Sequence, residues 1–327
     1  MATIAIDAMG GDNAPLEIVH GGIDAASRGH DIVLVGDRAR LEPILEKAES
    51  DLPIVHAAET IDMSDDPAIA IREKRDASVS VAARLVKAGE VDGLVSAGST
   101  GAAMAAATFM IGRLPGVSRP AIASYLPSGS VVLDMGANLS CRATDLAQFA
   151  VMGAALARAH YGVAEPTVGL LNIGSEAGKG RLLEKEAYSL IEALPNVEFI
   201  GNVEGNDLAA GKCNVIVCDG YTGNILLKTA EGVVKMVFGF MLEAVSEPQY
   251  AEAVQNLAPA ILGLRERLNP ERHGGAHLLG VKGVVVVTHG SSTRVSITHA
   301  VDTAAEAAKA GVPEMIAAGV TSGKDVL

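Results

Sequence analysis

Six times along this chain a short apolar run ends in a glycine-containing turn, and a helix-like segment follows. The first is TIAI (3–6), which runs into DAMGGDNAP (7–15). VDGLVSAG (91–98) leads to STGAAMAAATFM, and SVVLDMGAN (130–138) leads to TDLAQFAVMGAALARAH. TVGLLNIG (167–174) precedes SEAGKGRLLEKEAYSLIEAL, and NVIVCDG (214–220) precedes YTGNILLKTAEGVVKMVF. GVVVVTHG (283–290) precedes SSTRVSITHAVDTAAEAAKA. Strands alternating with helices of this length build βαβ units and a mostly parallel, doubly wound sheet. Composition agrees: 49% of the 327 residues are apolar, yet only 3% are aromatic and tryptophan is absent. A core of Ala, Val, Ile and Leu suits a sheet covered by helices on both faces.

In such sheets ligands bind beyond the carboxyl ends of the strands, where these turns lie. Helix N-termini there offer free N–H groups and a positive dipole end to an anion. Several of the turns also carry Ser, Thr, Asn, Lys or His. Together they read as a polar floor for a phosphate-like group, the competing reading being that each glycine serves only its own turn. In the opening loop, Gly10 and Gly11 permit close backbone approach and Pro15 suits a helix start. One of Asp7 and Asp12 is expected to organise backbone N–H groups, and the other to cap the first helix.

Familiar motifs fail. GSEAGKG (174–180) lacks the spacing of a P-loop, and no strand–turn–helix carries G-x-G-x-x-G, which argues against a dinucleotide. G-x-S-x-G and H-E-x-x-H are absent. His273 and His277 in HGGAH are four apart, but the intervening glycines predict a loop and not a zinc helix, so no metal is expected. Cys213 and Cys218 bracket CNVIVC, five apart, and are expected on opposite sheet faces. Three cysteines without metal or redox spacing, and an opening without a basic leader, point to a reducing cytoplasm. With 26 basic and 39 acidic residues the formal charge is −13, which argues against nucleic acid as a partner. No apolar run reaches the ~18 residues of a membrane span.

The ordered blocks IAIDAMGGDNAP, REKRDASVSVAARLVKAGEVDGLVSAGSTGA, LDMGAN, NIGSEAGKG, FIGNVEGNDLAAGKCNVIVCDGYTGNILLKTAEG and HGGAHLLGVKGVVVVTHGSS resemble the bacterial phosphate acyltransferases of phospholipid synthesis. The likeness spans nearly the whole chain. Ser99, Ser140, Asn206 and His277 depart from the family's usual residues. The resemblance implies one three-layer α/β/α Rossmann-like domain over 1–327, related to the isocitrate and isopropylmalate dehydrogenases and to phosphotransacetylases. It implies conversion of acyl carrier protein (ACP) thioester and inorganic phosphate to acyl-phosphate and free ACP, with no cofactor. It further implies a homodimer that attaches reversibly to the cytoplasmic membrane face, where a glycerol-3-phosphate acyltransferase takes the product.

Attack of phosphate on a thioester needs no serine or cysteine nucleophile, because phosphate already carries the charge. The protein must hold phosphate in line, stabilise the oxyanion and assist the leaving sulfur. Lys179 is the first choice for phosphate or oxyanion, against the reading of a solvated loop lysine. His289 is read as donor to the leaving sulfur or as a structural histidine. Asn224, Asn138 and Asn172 are placed where strand gives way to turn, as donors or as helix caps. Asp7, Gly10, Gly11, Gly98, Ser99, Thr100, Gly101, Asp219, Gly220, Thr222, Gly223 and Ser291 complete the expected phosphate and substrate floor.

Residues 231–269 differ from the rest. VVKMVFGFMLEAV is apolar nearly all round, and Leu257, Ile261, Leu264 and Leu268 form a helical stripe near Arg265, Arg267 and Arg272. A buried helix pair is one reading; the resemblance favours a projecting hairpin for dimer or membrane contact. An acidic ACP needs a locally basic landing site on a chain of charge −13. These arginines and Arg72, Lys74 and Arg75 are the candidates. Two rival enzymes remain open, a short-chain phosphotransacylase using acyl-CoA and a metal-dependent dehydrogenase, together with a non-catalytic membrane scaffold.

Overall fold

The computed structural model describes residues 2–246, 248–268 and 274–327. The strands are β1 (Thr3–Asp7), β2 (Asp31–Gly36), β3 (Ile54–His56), β4 (Gly93–Ser96), β5 (Ala121–Tyr125) and β6 (Val131–Leu133). The rest are β7 (Thr167–Leu171), β8 (Glu198–Val203), β9 (Val215–Val217), β10 (Ala276–Leu279) and β11 (Val284–Val287). Helices α1 (Leu16–Ser27), α2 (Arg38–Lys47), α3 (Pro67–Glu73), α4 (Ser78–Ala88), α5 (Thr100–Ala106) and α6 (Ala143–Tyr161) lie in the first half. Helices α7 (Leu182–Glu192), α8 (Asp207–Ala210), α9 (Gly220–Ala244), α10 (Ala251–Arg267), α11 (Arg294–Ala310) and α12 (Val312–Ser322) follow.

Among the described residues all eleven strands form one sheet in the order β3-β2-β1-β4-β11-β10-β5-β6-β9-β7-β8. Alternation along the strands divides the core into two layers. Ile4 and Ile6 of β1 face one cluster with α1, α6 and α11, whereas Ala5 faces the other with α4 and α5. In β11, Val284 and Val286 join the first cluster and Val285 and Val287 the second. The three-layer α/β/α arrangement follows. Helix α6 is buried over most of its length. Its Gly153 lets it settle on the sheet, where a Cβ would stand 2.4 Å from Val215. Cys213 and Cys218 lie in one cluster, not on opposite faces, because Cys213 precedes β9 and escapes its alternation.

One feature of the sheet governs the site. β10 runs antiparallel to both β11 and β5, and β5 runs antiparallel to β6. Three reversals therefore separate β11 from β6. The half-sheet β3-β2-β1-β4-β11 and the half-sheet β6-β9-β7-β8 point in opposite directions, each parallel within itself. Carboxyl ends of β1, β4 and β11 define a first edge; those of β6, β9 and β7 define the second.

Helices α9 and α10 occupy the stretch expected to form a hairpin. Of α9 only Gly220 and Gly223 are buried. Val233, Met236, Val237 and Phe240 are exposed, as are Leu257 and Leu264 of α10. Among the described residues nothing covers these side chains. The side chains of Arg265 and Arg267, and the whole of Arg272 and His273, lie outside the described residues. Among the described residues no helix is long and apolar enough to cross a membrane.

Candidate active site

At the first edge the loops after β1, β4 and β11 meet. A Cβ on Gly10 would stand 2.8 Å from the Gly98 nitrogen, so these two backbones approach as only glycine permits. Asp12 N donates to Gly290 O at 2.7 Å. Asn13 Nδ2 donates to the carbonyls of Ser291 and Ser292, both at 3.1 Å. Asp7 is buried; its carboxylate accepts from Ser96 Oγ at 2.7 Å and from Met9 N at 3.4 Å. It organises the loop, as one aspartate was expected to. Asp12 does not cap α1, whose N-cap is Pro15 with no side-chain bond. Burial raises the Asp7 carboxyl above its usual range, against the bonds from Ser78, Ser96, Met9 and Gly10. Above it lies a cleft of about 220 Å3, open solvent included, lined by Gly10, Thr60, Ser78, Ser96, Gly98 and Ser99. Its lining is hydroxyl-rich and holds no cation.

Ser99 caps α5, accepting from Ala102 N at 3.4 Å, and Thr100 opens that helix. Gly101 serves packing: a Cβ there would stand 2.6 Å from Pro67. His289 is exposed, and its Nδ1 accepts from Ser291 N at 3.2 Å. That bond places the neutral ring's proton on Nε2, free to donate. Lys74 of the basic IREKRD run is tied to Asp65 at 2.5 Å.

The second edge carries the cations. Lys179 is exposed in the loop 172–181 after β7, held by its own backbone: Lys179 N donates to Glu176 O at 3.0 Å, and Asn172 Nδ2 donates to Lys179 O at 3.1 Å. Arg181 caps α7 together with Glu184, Arg181 N donating to Glu184 Oε2 at 2.7 Å. Its guanidinium also reaches Asp219 at 2.5 Å. Asp219 in turn caps α9, accepting from Thr222 N at 2.7 Å. Burial alone would raise the Asp219 carboxyl, but Thr222 and Arg181 outweigh it and hold it below the usual carboxylate range. The lysine loop is thus fastened to the positive end of a 25-residue helix.

The three asparagines separate. Asn138 is buried, and its amide hydrogens go to Pro120 O and Asp134 Oδ2, both at 2.8 Å. Asn172 accepts from Ile173 N at 2.8 Å as well as holding Lys179 O. Neither caps a helix. Asn224 lies inside α9 and not at a strand end, where it is exposed beside Gly136. Of the three, Asn224 is the amide left to meet a substrate. Gly220 and Gly223 allow the helix start to sit on the loop after β6; Gly220 N donates to Asn138 O at 3.0 Å. His277 is buried in β10 and not in a loop, its Nε2 3.2 Å from Tyr125 Oη. Among the described residues no metal-binding cluster exists.

Arg181 and Asn202 were not singled out from the sequence. Arg181 carried no readable signal, since arginine is not an N-cap residue type and only the structure shows it paired with Glu184 at the helix start. Asn202 carried none either.

The fold is that of the phosphotransacylases. It aligns with the phosphotransacetylase EutD from Staphylococcus aureus at TM-score 0.61 and 18% identity, over 94% of each chain. A phosphotransacetylase from Streptococcus pyogenes aligns at TM-score 0.61 and 21% identity, again over 94% of each. Residues 2–315 match the family described as "Fatty acid synthesis protein". A phosphate acyltransferase from Heliobacterium modesticaldum is 47% identical over 306 residues, 91% of each chain, and one from Dictyoglomus turgidum is 42% identical over 97% of each. The chain belongs to this phosphate acyltransferase family and is an acyltransferase.

Proposed function

We propose that the protein transfers a long acyl chain from acyl-ACP to inorganic phosphate, releasing acyl-phosphate and ACP. The carrying observation is the second edge, where the Lys179 loop is fastened through Arg181 to Asp219 at the N-terminus of α9, the helix whose second turn carries Asn224. An anion is favoured there by the Lys179 ammonium and by the helix dipole, the Arg181 guanidinium being already paired with Glu184 and Asp219. Phosphate held by the Lys179 loop attacks the thioester carbonyl, and Lys179 with Asn224 stabilises the oxyanion. The exposed Leu139, Ile173, Leu182 and Tyr221 beside these loops suit an aliphatic chain and favour a long acyl group over acetyl.

His289 and Ser291 stand on the opposite edge. The role assigned to His289, donation from Nε2 to the leaving sulfur, is the part of the proposal that the placement of the two edges does not support. Homodimer formation and shallow membrane contact are assigned to the exposed face of α9 and α10, close to the downstream glycerol-3-phosphate acyltransferase. Purified protein given palmitoyl-ACP and phosphate should form a hydroxylamine-trappable acyl-phosphate. Turnover of acetyl-CoA in place of palmitoyl-ACP would make it a short-chain phosphotransacylase, the activity named for its structural neighbours. No turnover of either would leave a scaffold. Retained turnover in His289→Ala would remove the first edge from the reaction.

A further inference from the structure

Asn202 lies near the end of β8, the strand that closes the sheet on the side of β7, in register with Leu170. It is 3% exposed, and a polar amide at such depth needs a reason. Only half of that amide is used: Nδ2 donates to Glu176 O at 2.8 Å, while Oδ1 has no partner. An apolar residue of similar size would leave no orphaned acceptor there, so what the position retains is the donor. The carbonyl that receives it is the one that also accepts from Lys179 N at 3.0 Å. Asn172 holds the other side of the same residue through Lys179 O. The side-chain stem of Lys179 in turn lies over Gly174, where a Cβ would stand 3.1 Å from Lys179 Cγ.

We infer that Asn202 is a positioning residue for Lys179, acting through the Glu176 carbonyl from a neighbouring strand. The inference rests on the assignment of Lys179 to phosphate or oxyanion. Its physical content is that a lysine stem is flexible and its loop exposed, so the ammonium is aimed only as well as the backbone beneath it is fixed. Glu176 O is the pivot of that turn. With Asn202 in place the pivot is anchored to the sheet; without it the turn is held by Asn172 and by the Arg181 fastening at its far end alone.

Asn202→Leu keeps close to the volume and removes the donor; Asn202→Ala is the second variant should the branched side chain impair folding. Hydrogen exchange at the Lys179 amide should quicken at least about tenfold while amides of β7 and β9 stay protected. Turnover of acyl-ACP should fall by ~10–100-fold, the scale of a small misplacement of a reacting group, with a raised phosphate KM. In a Lys179→Ala background the same substitution should change turnover no further. Unchanged exchange at Lys179, or an equal loss of turnover in both backgrounds, overturns the inference. Wild-type protein that fails to turn over acyl-ACP sinks the assignment of the reaction instead, and the exchange result still decides the clamp.

Discussion

A Cβ on Gly223 would stand 1.9 Å from the carbonyl oxygen of Asp134, so the first turn of α9 rests directly on the backbone of the loop after β6. Asp134 is itself buried, and its carboxylate accepts from Ile122 N, Gly136 N, Ala137 N and Asn138 N at 2.7 to 3.2 Å. Gly223→Ala should therefore push the helix start away from this loop. We expect a loss of at least the ~1–3 kcal/mol typical of overpacking, read as a lowered urea midpoint. An unchanged midpoint would show that the helix start moves freely.

Lys179→Ala should lower acyl-ACP turnover by ~10²–10³, as for loss of one oxyanion donor, and leave the thermal transition in place. The side chain is exposed and carries no part of the core, so stability is not at stake. A near-normal rate would return Lys179 to the solvated surface.

The buried His277 predicts a pH dependence of stability. Burial, with His160 nearby, depresses its pKa to about 3. An unfolded histidine takes up a proton near pH 6.5. Between those values the unfolded state binds more protons than the folded one, so His277 draws stability down as pH falls from about 6.5 toward 3. The slope is at most about 1.4 kcal/mol per pH unit. Urea unfolding at pH 7 and pH 5 should show a smaller drop for His277→Gln than for wild type; equal drops would refute the assignment.

Leu264→Glu with Leu268→Glu tests the hairpin. Each large aliphatic side chain inserted into lipid contributes at most ~1.5–3 kcal/mol, and shallow insertion realises part of that. The double variant should lose co-sedimentation with anionic vesicles and keep its turnover of soluble acyl-ACP. Inactive monomers in its place would make the stripe a dimer core.

The six strand–turn–helix units, the two-sided core and the cationic turn at Lys179 were legible in the sequence because each rests on local information. Short apolar runs, and the glycines and polar residues that end them, are read over a dozen positions or fewer. The order of the quoted blocks carried the family. Which turns face one another was settled only by tertiary structure, since strand pairing joins residues far apart in sequence. The reversal at β10 and β5 sent His289 and Lys179 to opposite edges, although both follow a strand in the same way. Asn138 and Asn224 read alike, as donors or helix caps at strand ends, until packing tied one to Asp134 and Pro120 and put the other on the exposed face of α9. Arg181 and Asp219, 38 positions apart, and Asn202 and Glu176, 26 apart, meet because β7 lies between β9 and β8. Local patterns specify elements; direction and neighbourhood within the sheet come from long-range pairing, which no local pattern encodes.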